Sequence, residues 1–276
     1  MTIEEFTPKH KFLICIDSDG CAVDSMTIKH KKAFGRALIE TWHLEDYKDK
    51  VMAEWERINL YSMTRGINRF LGLNMALNYI NQNIKPIDGL ADLTKFIETA
   101  KSYSNNALEE YIKSNPSKLL EECLSWSNLT NKYIKELPES SINLFKNVKD
   151  QIKRMTDNSD IAVVSSANYD AVYNEWKRLG LMDYVSVFCT QNEGTKEKCL
   201  ERLSKRYPQG NVIMVGDGPG DLDAAKSNRI YFYPILAGSE DKSWKKINSY
   251  LDLFYTSQLD YCQEKIIDSF KDNLVL

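Results

Sequence analysis

Phe12-Leu13-Ile14-Cys15-Ile16-Asp17-Ser18-Asp19-Gly20 sets five apolar residues against two carboxylates one residue apart, with a glycine closing the run. An unbroken apolar run this short reads as a strand buried on both faces, the habit of parallel sheets in α/β proteins. In an extended chain residues i and i+2 point the same way, so Asp17 and Asp19 start out facing one pocket. That pocket lies at the strand's carboxyl end, the edge where open α/β sheets bind ligands. Two carboxylates held so close repel each other unless a cation lies between them or one keeps a proton. This is the chemistry of a metal-assisted nucleophile beside a general acid. A plainer reading fits the same residues: a strand followed by an acidic turn that caps a helix at Asp24-Ser25.

Three further stretches repeat the arrangement. Ile161-Ala162-Val163-Val164 runs into Ser165-Ser166. Asn211-Val212-Ile213-Met214-Val215 runs into Gly216-Asp217-Gly218-Pro219-Gly220-Asp221. Between them, Val185-Ser186-Val187-Phe188 is followed by Gly194-Thr195-Lys196. Each places polar or charged groups just past a strand, and a helical pattern follows. Together they resemble the haloacid dehalogenase superfamily of phosphatases and phosphotransferases. Its four motifs are a D-x-D loop, a strand-ending Ser or Thr, a Lys and an acidic G-D-x-x-x-D, present here in that order. The resemblance covers roughly residues 8–25 and 140–238.

Composition excludes several other classes. The net charge of -3 is near neutral, and no Lys/Arg block recurs with aromatics, so nucleic acid is not an expected partner. No apolar run approaches the roughly 20 residues that span a membrane, and none is expected as a partner either. The apolar run at 12–16 is too short for a signal-peptide core. Six cysteines are scattered without a C-x-x-C, which fits a reduced, cytoplasmic protein better than a disulfide framework. The histidines at 10, 30 and 43 do not cluster, so a His-based zinc site or a His-dependent triad lacks support.

The expected fold is α/β, a Rossmann-like parallel sheet core with an inserted all-helical cap domain. Alternating strand and helix after Leu137 predicts the parallel sheet. Helical patterns over 26–42, 46–60, 64–79, 88–100, 105–112 and 116–133 predict the insertion. The core is assigned 1–25 and 138–276, with a helix over 142–155 leading into the next strand and helices closing the chain. The cap is assigned 26–137.

The resemblance assigns Asp17 as the nucleophile that becomes an aspartyl-phosphate. Mg²⁺ is the implied cofactor, with Asp17, the carbonyl of Asp19, Asp217 and Asp221 as its ligand set. A hard cation with oxygen ligands answers a physical need, since phosphoryl transfer demands that charge on the phosphoryl oxygens be neutralised. Asp19 discriminates within the family: its dehalogenases lack a carboxylate there and its P-type ATPases carry threonine. An acid at this position can protonate a leaving alcohol and deprotonate the attacking water. Ser165 would donate to a phosphoryl oxygen, with Gly20, Ser166 and Asn168 lining the substrate, and Lys196 would balance phosphate charge. Lys198 is its rival, since the family often shows Lys-Pro where this chain has Lys196-Glu197. Cys21 reads as loop packing. In the cap, Arg65 and Arg69 are four apart and expected to share a helix face. They read either as a solvated, salt-bridged face or as a clamp on an anionic or polyol part of the substrate.

The expected activity is Mg²⁺-dependent hydrolysis of a small phosphorylated metabolite. A β-phosphoglucomutase-like transferase, a phosphonatase-like hydrolase and a non-catalytic binding protein on the same core are the rivals. Residues 51–84 hold no lysine, which counts against the Schiff base a phosphonatase needs. The intact motif set counts against the binding protein. Oligomeric state is not legible.

Overall fold

The computed structural model describes residues 3–274, so the outermost residues of the core assignment, 1–2 and 275–276, lie outside the described residues. The strands are β1 (Phe12–Ile16), β2 (Val23–Asp24), β3 (Asn143–Leu144), β4 (Ser159–Val164), β5 (Val187–Cys189), β6 (Val212–Gly216) and β7 (Tyr231–Pro234). The first helices are α1 (Met26–Lys29), α2 (Gly35–Thr41), α3 (Lys48–Leu60), α4 (Arg69–Asn83), α5 (Leu90–Thr99), α6 (Asn105–Ser114) and α7 (Lys118–Glu136). They are followed by α8 (Val148–Met155), α9 (Tyr169–Arg178), α10 (Lys196–Ser204), α11 (Pro219–Ser227), α12 (Glu240–Tyr255) and α13 (Asp260–Asn273). The chain divides into two compact units, one running to Ser25 and resuming at Ile142, the other holding Met26–Ser141.

In the first unit five strands form a parallel sheet in the order β5-β4-β1-β6-β7. Every residue of β1, β4, β5 and β6 is buried, as the unbroken apolar runs require of strands covered on both faces. Burying each Leu or Ile of β1 contributes about 1.5–3 kcal/mol. The register pairs Ile16 with Val163 on one side and Val215 on the other. Asp17, Ser165 and Asp217 therefore leave the sheet at one level of its carboxyl edge.

Two side-chain devices finish the sheet. The buried Asp160 accepts hydrogen bonds from Lys9 N at 2.9 Å, His10 N at 3.0 Å and the Tyr207 hydroxyl at 2.7 Å, tying the approach to β1 onto β4. On edge strand β7, the Gln263 amide of α13 accepts from Phe232 N at 3.2 Å and donates to Phe232 O at 2.9 Å. It pairs one residue of an edge that would otherwise offer a template to another chain.

One expected helix is shorter than the sequence pattern suggests. The pattern over 142–155 predicts a single helix, but α8 begins only at Val148. Asn143-Leu144 instead pairs antiparallel with Val23-Asp24, and Phe145 N donates to Ala22 O at 3.2 Å. Asn147 at φ 72 then starts the helix. A two-residue ladder carries no periodicity, so a partner 120 residues distant in sequence decided this segment.

The second unit is built of helices. Its core joins Trp55, Phe70, Phe96 and Trp126, all fully buried, with Trp55 and Trp126 edge-on at 5.9 Å. Helices α1 and α2 are joined by a π-helical turn, His30–Phe34, within the single helix expected over 26–42. The expected helix over 64–79 is displaced: α4 begins at Arg69 with Asn68 as N-cap, its side chain accepting from Phe70 N at 2.9 Å. Arg65 therefore lies in the preceding turn and does not share a helix face with Arg69. Nor do the two form a solvated face. Arg65 is buried and donates to Leu60 O at 2.7 Å. Arg69 donates to Ser127 Oγ at 3.0 Å and Asn131 Oδ1 at 2.7 Å, and lies over the Phe34 ring. Burial lowers its pKa. A backbone carbonyl, a hydroxyl and an amide oxygen are among the acceptors of these guanidinium groups.

Candidate active site

The loop after β1 is shaped by one carbonyl. Ser18 O accepts from Cys21 N, Ala22 N and Val23 N at 3.3, 3.1 and 2.9 Å. The chain turns back at Gly20, whose φ of 80 lies in the left-handed region that glycine adopts without steric cost. Asp17 N donates to Val215 O at 3.0 Å, holding the loop's first residue at the sheet edge. Asp19, half-buried, accepts from the Ser25 hydroxyl, which orients the carboxylate. Cys21 is buried, with Sγ 3.5 Å from Val215 O, which is packing.

Across the edge, Asp17, Asp217 and Asp221 offer carboxylate oxygens that all lie within 4.8 Å of one another. They are 6%, 3% and 2% exposed. Asp217 follows β6 directly. Asp221 sits in the first turn of α11, accepting from Gly218 N at 3.1 Å. Gly216 makes room for it, since a Cβ there would lie 2.4 Å from the Asp221 Cβ. Lys196, the first residue of α10, reaches both sides: Nζ is 2.8 Å from Asp17 Oδ1 and 2.6 Å from Asp221 Oδ1. An ammonium in a first helical turn opposes the helix dipole, and here two carboxylates compensate it. Lys198 is exposed, and it is Lys196 whose ammonium lies against Asp17.

The charges explain the titration. Burial pushes the Asp17 carboxyl well above its usual range; Lys196 pulls it down, while Asp221 and Asp217 push it up. Burial works to lower the Lys196 pKa, but the Asp17 and Asp221 carboxylates outweigh it and hold the ammonium charged. Three buried carboxylates against one ammonium leave excess negative charge in a low-dielectric place. Aspartates with hard oxygen donors and a charge deficit of this sign fit a divalent cation such as Mg²⁺.

Ser165 follows β4, buried, its N donating to Cys189 O at 2.9 Å. Its Oγ accepts from Ala167 N at 3.2 Å, which leaves the hydroxyl proton for another acceptor. Ser166 and Asn168 are exposed, and Asn168 Oδ1 caps α9 by accepting from Asp170 N at 3.0 Å. Missing from the sequence reading are Trp176, Trp244 and the bond from Ser25 to Asp19. The indole Nε1 of Trp176 donates to Ser18 Oγ at 2.9 Å and that of Trp244 to Cys21 O at 2.8 Å. Nothing in a single sequence ties a tryptophan 158 or 223 residues away to this loop.

The model of the haloacid dehalogenase-like hydrolase family matches residues 93–234, just over half the chain. The chain belongs to that family. The match contains Ser165, Lys196, Asp217 and Asp221, with the Asp17–Asp19 loop N-terminal to it. Among solved structures this hydrolase is similar to a provisionally assigned phosphoglycolate phosphatase of Lactobacillus delbrueckii subsp. bulgaricus. That protein is 14% identical over 82% of this chain and 86% of its own, with a TM-score of 0.53. A second provisionally assigned phosphoglycolate phosphatase, from Lactobacillus plantarum, is 13% identical over 89% and 92%, with a TM-score of 0.48. A provisionally assigned β-phosphoglucomutase of Thermotoga maritima is 16% identical over 81% and 84%, with a TM-score of 0.44. At 14% identity the likeness to the first of these is one of fold. No curated protein matches the hydrolase. No helix among the described residues is long and apolar enough to cross a membrane.

Proposed function

We propose that this hydrolase is a Mg²⁺-dependent phosphatase that cleaves a small phosphorylated metabolite through an aspartyl-phosphate on Asp17, in the cytoplasm. The observation that carries the reading is the buried cluster of Asp17, Asp217 and Asp221 bridged by Lys196, with a second carboxylate, Asp19, two residues past the first. Asp17, the carbonyl of Asp19, Asp217 and Asp221 would hold Mg²⁺, which would supply charge neutralisation for the phosphoryl oxygens.

The chain's own groups divide the remaining work. Asp17 attacks phosphorus and the ester bond breaks. Asp19, oriented by Ser25, protonates the departing alkoxide oxygen, then takes a proton from the water that cleaves the acyl phosphate. Ser165 donates its free hydroxyl proton to a phosphoryl oxygen, and Lys196 adds positive charge beside the nucleophile. Asp19→Asn removes the proton carrier and keeps the side chain's size. Turnover should fall by about 10²–10⁴-fold, while phosphorylation of Asp17 by a substrate with a good leaving group stays measurable. Loss of both would assign Asp19 a role beyond proton transfer.

A panel of phosphorylated metabolites, read by release of inorganic phosphate, tests the reading. Activity should vanish in excess chelator and return with Mg²⁺. Undiminished hydrolysis in chelator would remove the metal from the proposal, and phosphoryl transfer to a sugar without phosphate release would replace hydrolysis by mutase chemistry.

A further inference from the structure

We propose that Trp176 is a positioning residue for Asp17 and Asp19, acting through Ser18. The inference rests on the phosphatase reading and concerns how its two carboxylates are held. Ser18 lies between them and is buried. Its carbonyl gathers three amides of the loop, from Cys21 to Val23. Whatever fixes Ser18 thus fixes the direction in which the chain leaves Asp17 and the turn that presents Asp19.

The side chain of Ser18 is fixed by one donor, the Trp176 indole N–H at 2.9 Å. Trp176 is fully buried on α9, where its ring meets Phe188 of β5 nearly edge-on at 6.2 Å. The anchor is therefore part of the sheet's packing, not a mobile side chain. A second indole, Trp244 of α12, holds the far end of the same turn through Cys21 O at 2.8 Å. Two helices thereby clamp the nucleophile loop at its two ends. Neither tryptophan has a group that touches phosphate chemistry, so each acts through the loop. The clamp on Ser18 matters most, because that residue adjoins both carboxylates. Reacting groups held to within an ångström of attack geometry lose about 100-fold when displaced by that much.

Trp176→Phe deletes the donor and keeps an aromatic ring. Its kcat for the best substrate of the panel should fall about 10- to 100-fold with KM little changed. Ser18→Ala deletes the acceptor and should show the same split. The double variant separates positioning from stability. Removing both partners of a buried hydrogen bond costs far less than removing one, so its Tm should return toward wild type while kcat stays low. A kcat that recovers in step with Tm in the double variant overturns the proposal. So does a folded Trp176→Phe protein whose kcat lies within about twofold of wild type. If Trp176→Phe does not fold, Ser18→Ala and the double variant carry the same comparison. A wild-type protein inactive on the whole panel would remove the phosphatase reading and this inference with it, whereas an active wild type with unaffected variants removes the inference alone.

Discussion

Asp17→Asn should abolish phosphate release and leave no phosphoenzyme detectable by acid-quenched labelling. The amide offers no anionic oxygen to attack phosphorus, and no other carboxylate of the cluster occupies its place at the end of β1. Asp217 and Asp221 come from the neighbouring strand and its helix, and Asp221 is committed to Gly218 N and Lys196. Loss of turnover of about 10⁴-fold or more is expected for a group whose chemistry nothing else replaces. The fold should survive, because asparagine is nearly isosteric and relieves one of three crowded buried carboxylates. Circular dichroism and Tm at or above the wild-type value would show that chemistry, not structure, was lost. A labelled phosphoenzyme in the variant would move the nucleophile to another residue.

Lys196→Met should damage both activity and stability. It keeps a long unbranched side chain and deletes the ammonium that lies within 2.8 Å of Asp17 and 2.6 Å of Asp221. Removing one partner of a buried ion pair strands the other, at a cost of about 3–5 kcal/mol. Turnover should fall on the order of 10²–10³-fold, the scale for one lost donor to developing charge. Mg²⁺ offers an independent readout. A ligand that binds only the folded state stabilises it by mass action, and the variant's unrelieved carboxylates should make its Tm rise more steeply with Mg²⁺ than that of wild type. Lys198→Met, at the exposed rival position, should leave Tm and turnover at wild-type values. Equal effects of the two substitutions would undo the assignment of Lys196.

The sheet and the polar groups along its carboxyl edge were legible because both depend on local pattern. Four buried strands are built on short apolar runs, and each run ends where the first carboxylate, hydroxyl or glycine appears. Asp17, Ser165 and Asp217 follow their strands immediately, so reading where each strand stops was enough to bring them together. Asp221 and Lys196 each lie in the first turn of the helix that follows a strand. The sequence by itself could not decide between Lys196 and Lys198, because two residues along a first helical turn differ by direction, not by position. Only the tertiary structure pointed Lys196 at Asp17.

What failed in the sequence reading failed at an unread helix cap and where the partner is distant. Arg65 and Arg69 looked like a helix pair because four-residue spacing is a helical signature, yet Asn68 caps α4 between them and interior oxygens receive both. Residues 142–147 read as helix because a two-residue ladder leaves no period to detect, and Val23-Asp24 claimed them through backbone hydrogen bonds. Ser18 is the unspecified residue of its D-x-D motif, and the two tryptophans that clamp its loop carry no motif at all. The physical division is the range of the interaction. Strand burial, turn glycines and helix caps act over a few residues, so this protein's sequence determined its parallel core and which acids end its strands. Hydrogen bonds such as Trp176 to Ser18 join segments 158 residues apart, and only the packed tertiary structure decided them.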